Sequence, residues 1–266
     1  MFFSQTGQAS WIGIVSASVL FGLLCAGACL LAKKTGAQRF SSACMRLFGV
    51  HAGRLIGCLH GLLIVVVGIV MLRRAGHMAA LIFSVRHACM MGMLFSAAAA
   101  LLLNVGKGRP FSAFSVISIV FCCIFHAALA LDPEPVCFYQ QFETTAELYG
   151  SVSAALTLAG IYAALCALIA VDAVMSRAER IRRSDVFALR CSAVMLAVLL
   201  TGNAAMLRGG EKLLSMALPT VVLAARWGVF GYFTCVFSMF LSAIGTLSVC
   251  LGVLIGSNAK HDKISC

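Results

Sequence analysis

The stretch Leu55–Leu72, LIGCLHGLLIVVVGIVML, contains no charged residue. An α-helix rises about 1.5 Å per residue, so about 20 apolar residues cross the ~30 Å hydrocarbon core of a bilayer. Comparable runs recur along the 266-residue chain, which is 62% hydrophobic and only 11% charged. Water-soluble domains are nearer half apolar and about a quarter charged. The composition therefore predicts an all-α integral membrane protein.

The apolar runs predict a single polytopic membrane domain over residues 1–266, a bundle of seven or eight transmembrane helices. The predicted spans are residues 11–32, 55–72, 78–105, 111–131, 150–175, 186–207 and 229–255. Residues 213–225 form a shorter apolar stretch that contains Pro219. A stretch this short favours an interfacial or re-entrant segment over a full crossing.

The basic residues predict the orientation. Lys33 and Lys34 follow the first run, and the ten residues before that run contain no lysine or arginine. Cytoplasmic loops are enriched in lysine and arginine. With the N-terminus outside, the inner segments carry thirteen of these residues and the outer segments six. We therefore predict an external N-terminus, and the net charge of +11 is interpreted as a topology signal rather than as a nucleic-acid surface.

The cysteines do not predict a metal site. The chain has thirteen of them, but most lie inside apolar runs, where cysteine behaves as a small hydrophobic residue. No Cys-x-x-Cys pair occurs, so the usual zinc and iron–sulfur ligand patterns are missing. We expect no metal in this chain and assign any metal chemistry to a partner.

The stretch MLRRAGHMAALIFSVRHACMMGM places five ionisable side chains between two apolar runs: Arg73, Arg74, His77, Arg86 and His87. Ionisable groups at membrane depth are costly and often mark a functional path or cavity. These residues have two interpretations, anchoring to lipid headgroups or lining a pocket for an amphipathic ligand. A third helix that begins near Met78 would bury Arg86 and His87 by two turns, whereas a start near Ala88 would leave all five at the interface.

Four other polar residues can be interpreted either as structural residues or as ligand-binding residues. His60 and His126 lie in different predicted spans and are the candidates for a b-type haem, although a lone membrane histidine more often packs and hydrogen-bonds. Asp172 lies five residues before Arg177, which predicts a local ion pair. Glu211 either pairs with its basic neighbours or binds a ligand.

Several segments follow one another in a specific order: the polar step Met71–His77, the start of a glycine-containing helix at Glu147–Gly150, the pairs Thr201–Gly202 and Gly210–Glu211, then Leu218–Pro219 and Trp227. In this order and spacing, over roughly residues 10–250, the chain resembles the membrane-anchor subunit of bacterial dimethyl sulfoxide reductase-type molybdenum enzymes. The family has a histidine at the end of its second helix and a glutamate early in its third. The matching places here hold Arg73 or His77 and no acid.

The resemblance implies a non-catalytic, quinol-oxidising anchor subunit in the bacterial cytoplasmic membrane. Its substrate would be menaquinol, and its partners an iron–sulfur electron-transfer subunit and a molybdopterin catalytic subunit, with no nucleic acid involved. The candidate quinol-binding residues are Arg73, His77, Arg86, His87 and Glu211. The alternatives are a small polytopic transporter or channel, and a membrane electron carrier that holds haem b.

Overall fold

The computed structural model describes residues 10–83, 87–105, 117, 120, 121, 123–129, 131, 145–208 and 219–258. These residues form helices joined by turns, with no strand among them. The helices are α1 (Ser10–Thr35), α2 (Phe40–Phe48), α3 (Val50–Phe83), α4 (Ala88–Val105), α5 (Thr145–Met175), α6 (Ser184–Arg208), α7 (Pro219–Ala225) and α8 (Gly228–Asn258). A short 3-10 turn, Ala178–Arg180, lies between α5 and α6.

Five of the described helices are long and apolar enough to cross a bilayer. Their candidate spans are Ser10–Thr35, Val50–Phe83, Gly150–Met175, Ser184–Gly202 and Gly228–Leu254, and α4 supplies a shorter apolar segment, Ala88–Asn104. The prediction of a helical multi-pass membrane protein is therefore supported, while the seven-span count and the external N-terminus stay predictions. Of the predicted fourth span, 111–131, residues 117, 120, 121 and 123–129 are helical and most others lie outside the described residues.

The helix that contains the predicted second span extends beyond it. Helix α3 continues past Leu72 to Phe83, and α4 begins at Ala88, the later of the two starts considered for the third helix. Arginine is a good helix former, so the pair Arg73-Arg74 does not interrupt a helix although it interrupts the apolar pattern. As a result α3 has 34 residues, a length of about 51 Å.

Helices α3 and α4 form a closely packed hairpin whose interface depends on glycine. A Cβ atom added at Gly76 would lie 2.7 Å from Cγ of Met93 and 2.9 Å from the backbone oxygen of Cys89. A Cβ atom added at Gly92 would overlap the Cβ of Ala79. Small residues let membrane helices approach closely enough for their backbones to pack, and here they fix the two helices side by side.

The short helix α2 folds back along the first turns of α3. A Cβ atom at Gly57 would lie 3.0 Å from that of Ser41, and the Phe40 ring meets the His60 imidazole edge-on at 5.1 Å. One face of α2 is buried on α3, while Leu47 and Phe48 are exposed. An amphipathic helix of this kind suits the membrane interface, so we expect the membrane-crossing part of α3 to begin near His60.

The chain divides into two compact units. The described parts of residues 1–26, 120–167 and 183–235 form the first, and those of 27–119, 168–182 and 236–266 form the second. In the first unit, the buried residues Ala17, Ala159 and Ala163 pack together, with Phe21 and Leu199 against them. The second unit contains α2, the α3–α4 hairpin and the C-terminal parts of α5 and α8.

The predicted interfacial segment, residues 213–225, is described only from Pro219 onward, where it forms α7, a helix of about two turns. Proline suits the first position of a helix because its missing N–H would have no partner there. Gly228, with φ of +70°, then turns the chain into α8, and the Trp227 ring meets Phe125 edge-on at 6.1 Å.

Candidate functional site

The structure places three of the ionisable residues of the Met71–Met93 stretch on α3. Arg73, Arg74 and His77 are exposed side chains of this helix, and we call them the α3 cluster. His87 is exposed in the turn before α4. Two other predicted site residues, Arg86 and Glu211, lie outside the described residues.

The α3 cluster lies within a surface that is otherwise apolar. Before it on α3, Ile69 and Val70 are 61% and 53% exposed; after it, Phe83 is 65% exposed. At the start of α4, Met90 and Met91 are 61% and 66% exposed. Exposed apolar side chains therefore lie on both sides of the cluster.

If the crossing part of α3 begins near His60, as the position of α2 leads us to expect, the cluster lies within that part, because α3 continues to Phe83. From His60, where α2 ends its contact, Arg73 is about 20 Å along the helix, and Phe83 is about 15 Å further. The whole of Val50–Phe83 also forms one candidate span. The headgroup interpretation therefore fits His87, which lies at the turn, better than it fits Arg73 and Arg74.

No acidic residue among those described neutralises the α3 cluster. Residues 1–131 contain ten lysines and arginines but no aspartate or glutamate. Among the described residues, the one ion pair joins Arg183 to Asp185 at 2.9 Å, and both of these side chains are exposed. An arginine at membrane depth without a protein carboxylate needs another anionic or hydrogen-bonding partner, so the cluster is a candidate ligand site.

The structure gives His60 a packing role. Its side chain is 8% exposed, and its Nε2 lies 2.9 Å from the backbone oxygen of Leu168. A carbonyl oxygen only accepts, so Nε2 carries the proton in this arrangement and donates it to Leu168. His126, the other haem candidate, meets the ring of Phe125 edge-on at 6.0 Å.

The structure also shows a cavity of about 280 Å³ that the sequence did not indicate. Its lining surface is mainly apolar but includes charged and amide side chains, and we call it the polar cavity. All of its lining residues belong to the second unit. They come from the α1–α2 connection and from near the C-terminal ends of α4, α5 and α8: Gln38, Arg39, Asn104, Asp172, Ala173, Ser176, Arg177, Ser248, Val249, Gly252 and Val253. Its lining residues include two arginines, an aspartate and two amides.

The predicted ion pair between Asp172 and Arg177 is wrong. Oδ1 of Asp172 instead accepts the backbone N–H of Phe40 at 2.7 Å. Phe40 is the first residue of α2, and the preceding Arg39 makes no capping hydrogen bond with its side chain. Asp172 thus caps α2 from another helix, where its negative charge also opposes the positive end of the helix dipole.

The amide of Asn104 joins α4 to α8 at the wall of the cavity. Its Nδ2 donates to the backbone oxygens of Ala100, at 2.8 Å, and Ser248, at 2.9 Å. A Cβ atom at Gly252 would lie 2.8 Å from Oδ1 of Asn104, so the glycine makes room for the amide. Buried amides commonly join membrane helices in this way.

The Cys44 thiol of α2 is held in its neutral form. Burial, with the negative charge of Asp172 as a smaller cause, raises the pKa of Cys44 above its ordinary value of 9.0. A group whose pKa is raised by folding stabilises the protein fully below that ordinary value, and the contribution is lost as the pH rises above it. Cys44 is therefore a structural residue at neutral pH rather than a nucleophile.

Within the described residues, no group of three or more histidine, cysteine, aspartate or glutamate side chains is arranged to hold a metal ion. No protein family, curated protein or solved structure matches the chain. The α3 cluster and its surroundings are therefore the main candidate for a functional site.

Proposed function

We propose that the protein is the membrane subunit of a quinol-oxidising complex and that the α3 cluster belongs to its quinol site. One observation carries the proposal: Arg73, Arg74 and His77 form an exposed polar patch within an apolar helix surface in a candidate membrane span. A quinol has a polar headgroup on an apolar tail and reaches its site through lipid. A polar patch open to lipid fits such a ligand.

The residue types in the cluster fit quinol chemistry. Oxidising a quinol to a quinone releases two electrons and two protons. Histidine can accept a proton near neutral pH, and a guanidinium group stabilises an oxygen that becomes negative. Arg73 and His77 are four residues apart on α3, which places them on the same face of the helix. The electrons would pass to an iron–sulfur centre of a partner subunit.

The resemblance in segment order identifies the partners that we propose. These are an iron–sulfur electron-transfer subunit and a molybdopterin catalytic subunit, with the bacterial cytoplasmic membrane as the location and menaquinol as the donor. His87 at the turn extends the site toward the interface. Arg86 and Glu211 complete the set proposed from the sequence.

The exposure of the cluster separates this proposal from the transporter alternative. A transporter places its ionisable groups around a central site between helices, whereas Arg73, Arg74 and His77 are exposed on the surface of the chain. The haem alternative has a direct test, because purified protein that holds haem b would show a Soret absorption band. Such a band would contradict our proposal and support a membrane electron carrier that holds haem b.

Substitution of the α3 cluster tests the proposed site. We expect Arg73→Gln and His77→Gln each to lower menaquinol-dependent reduction by the intact complex by about tenfold, because each removes one group that stabilises the transition state. The rate with a water-soluble artificial donor, which bypasses the quinol site, should not change. Arg54→Gln is the matched control, since it removes an exposed charge from the same helix beside α2.

Two results would contradict the proposal. Equal quinol kinetics in the wild type and both cluster variants would remove the α3 cluster as the site. Affinity capture from native membranes should also recover a partner with iron–sulfur EPR signals and bound molybdenum. Recovery of the chain alone under conditions that preserve membrane complexes would contradict the anchor function.

A further inference from the structure

The polar cavity in the second unit contains more cationic than anionic charge. Arg39 is half-buried and Arg177 is exposed, and neither has a carboxylate within 4.0 Å among the described residues. Asp172 is the one carboxylate among the described lining residues. The formal charge of these three residues is +1.

The position of Asp172 weakens its negative contribution to the charge of the cavity. Its Oδ1 accepts the first backbone N–H of α2, so part of its negative charge is offset by the positive end of that helix. The C-terminal end of α1 likewise has a cationic partner, because the Arg46 guanidinium donates to the backbone oxygen of Thr35. Arg39 and Arg177, which both line the cavity, supply the remaining positive charge.

We propose that this cavity binds a phosphate group through Arg39 and Arg177. Guanidinium groups bind phosphate oxygens with directed, charge-assisted hydrogen bonds. A volume of about 280 Å³ lies near the lower end of small-molecule pockets, so it suits a headgroup and not a whole lipid. The group could come from an acidic phospholipid or from a soluble phosphate ester.

The predicted topology favours an acidic phospholipid as the source. The α1–α2 connection belongs to the segments with the most lysine and arginine, which we place on the cytoplasmic side. Acidic lipids concentrate in the cytoplasmic leaflet, and basic pockets between membrane helices bind their headgroups. This inference does not depend on the quinol proposal, because it concerns different residues and a different ligand.

Binding of short-chain lipids to the purified full-length protein tests the proposal. The probe is dihexanoyl phosphatidic acid, compared with dihexanoyl phosphatidylcholine, whose choline neutralises the phosphate charge. We expect phosphatidic acid to bind at least tenfold more tightly. Glycerol 3-phosphate distinguishes the sources: equal affinity would assign the site to a soluble ester, and much weaker binding would assign it to lipid.

Four variants test the residues. We expect Arg39→Gln and Arg177→Gln each to raise the Kd for phosphatidic acid at least fivefold. Asp172→Asn keeps the oxygen that caps α2 but removes the opposing charge, so it should lower the Kd. Arg180→Gln, which removes an exposed charge three residues beyond Arg177 and outside the lining, should leave the Kd unchanged.

The proposal fails if phosphatidic acid and phosphatidylcholine bind equally. It also fails if Arg177→Gln and Arg180→Gln weaken binding to the same extent, because the attraction would then belong to the general positive surface. Arg177 is exposed, so its variant should retain the fold even if Arg39→Gln does not. Weaker binding by Asp172→Asn would indicate a cation site instead.

Discussion

Replacing Gly92 with leucine is expected to abolish the folded protein. The Cβ of any residue at this position would overlap the Cβ of Ala79 on α3, and neither helix can yield without separating the hairpin. Overpacking a tight interface costs about 1–3 kcal/mol for a few added methylene groups, and more where backbone must move. We expect little monodisperse protein on size exclusion in detergent and a strong fall in the midpoint of thermal unfolding.

Gly61→Leu is the matched control for this prediction. Gly61 lies on the same helix α3, and a Cβ atom there meets nothing within 4 Å. The control should therefore fold normally. A double variant tests the same contact. Gly92→Ala alone should lower the stability, and adding Ala79→Gly should restore much of it, because the second change removes the Cβ atom that the first one meets. Equal behaviour of the two leucine variants would contradict the observed hairpin packing.

Asp172→Ala is expected to destabilise the protein and to release α2 from the end of α5. The substitution removes the acceptor that lies 2.7 Å from the N–H of Phe40. Hydrogen bonds to charged groups contribute about 1.5–3 kcal/mol. We expect a lower free energy of unfolding and a faster alkylation of Cys44, which is 3% exposed on α2.

The pKa of Cys44 provides a second readout of the same change. Removing Asp172 removes one of the two causes that raise this pKa, so alkylation should begin at a lower pH in the variant. Asp185→Ala is the control, because Asp185 makes an exposed pair with Arg183 and such pairs contribute little. An unchanged Cys44 alkylation profile in Asp172→Ala would contradict the capping role.

Composition and run length were enough to predict a helical membrane protein. Apolar length alone could not predict where α3 ends, because Arg73 and Arg74 interrupt the hydropathy pattern without interrupting the helix. The stabilising contacts at that point come from Gly76 and Gly92 packing across the hairpin. Contacts of this kind depend on which helices are neighbours, and the neighbours of a helix cannot be deduced from a single sequence.

Of the two candidate sites, the sequence indicated one and not the other. The ionisable residues of the α3 cluster were visible in the sequence because charged residues are rare between apolar runs. The polar cavity was not, since Arg39, Asn104, Asp172 and Ser248 are far apart along the chain and meet only when four helix ends converge. A local pairing of Asp172 with Arg177 was the simplest interpretation, and the tertiary contact with Phe40 replaced it.

The bond between Phe40 and Asp172 also has a consequence for biosynthesis. The two residues are 132 positions apart, and ribosomes add about 5–20 residues per second. Helix α2 would thus wait roughly 7–26 s after its own synthesis before the carboxylate that caps it emerges. Until then the N-terminal end of α2 is uncapped while the insertion machinery handles this basic segment. The packing of α2 against α5 is therefore a late step of assembly.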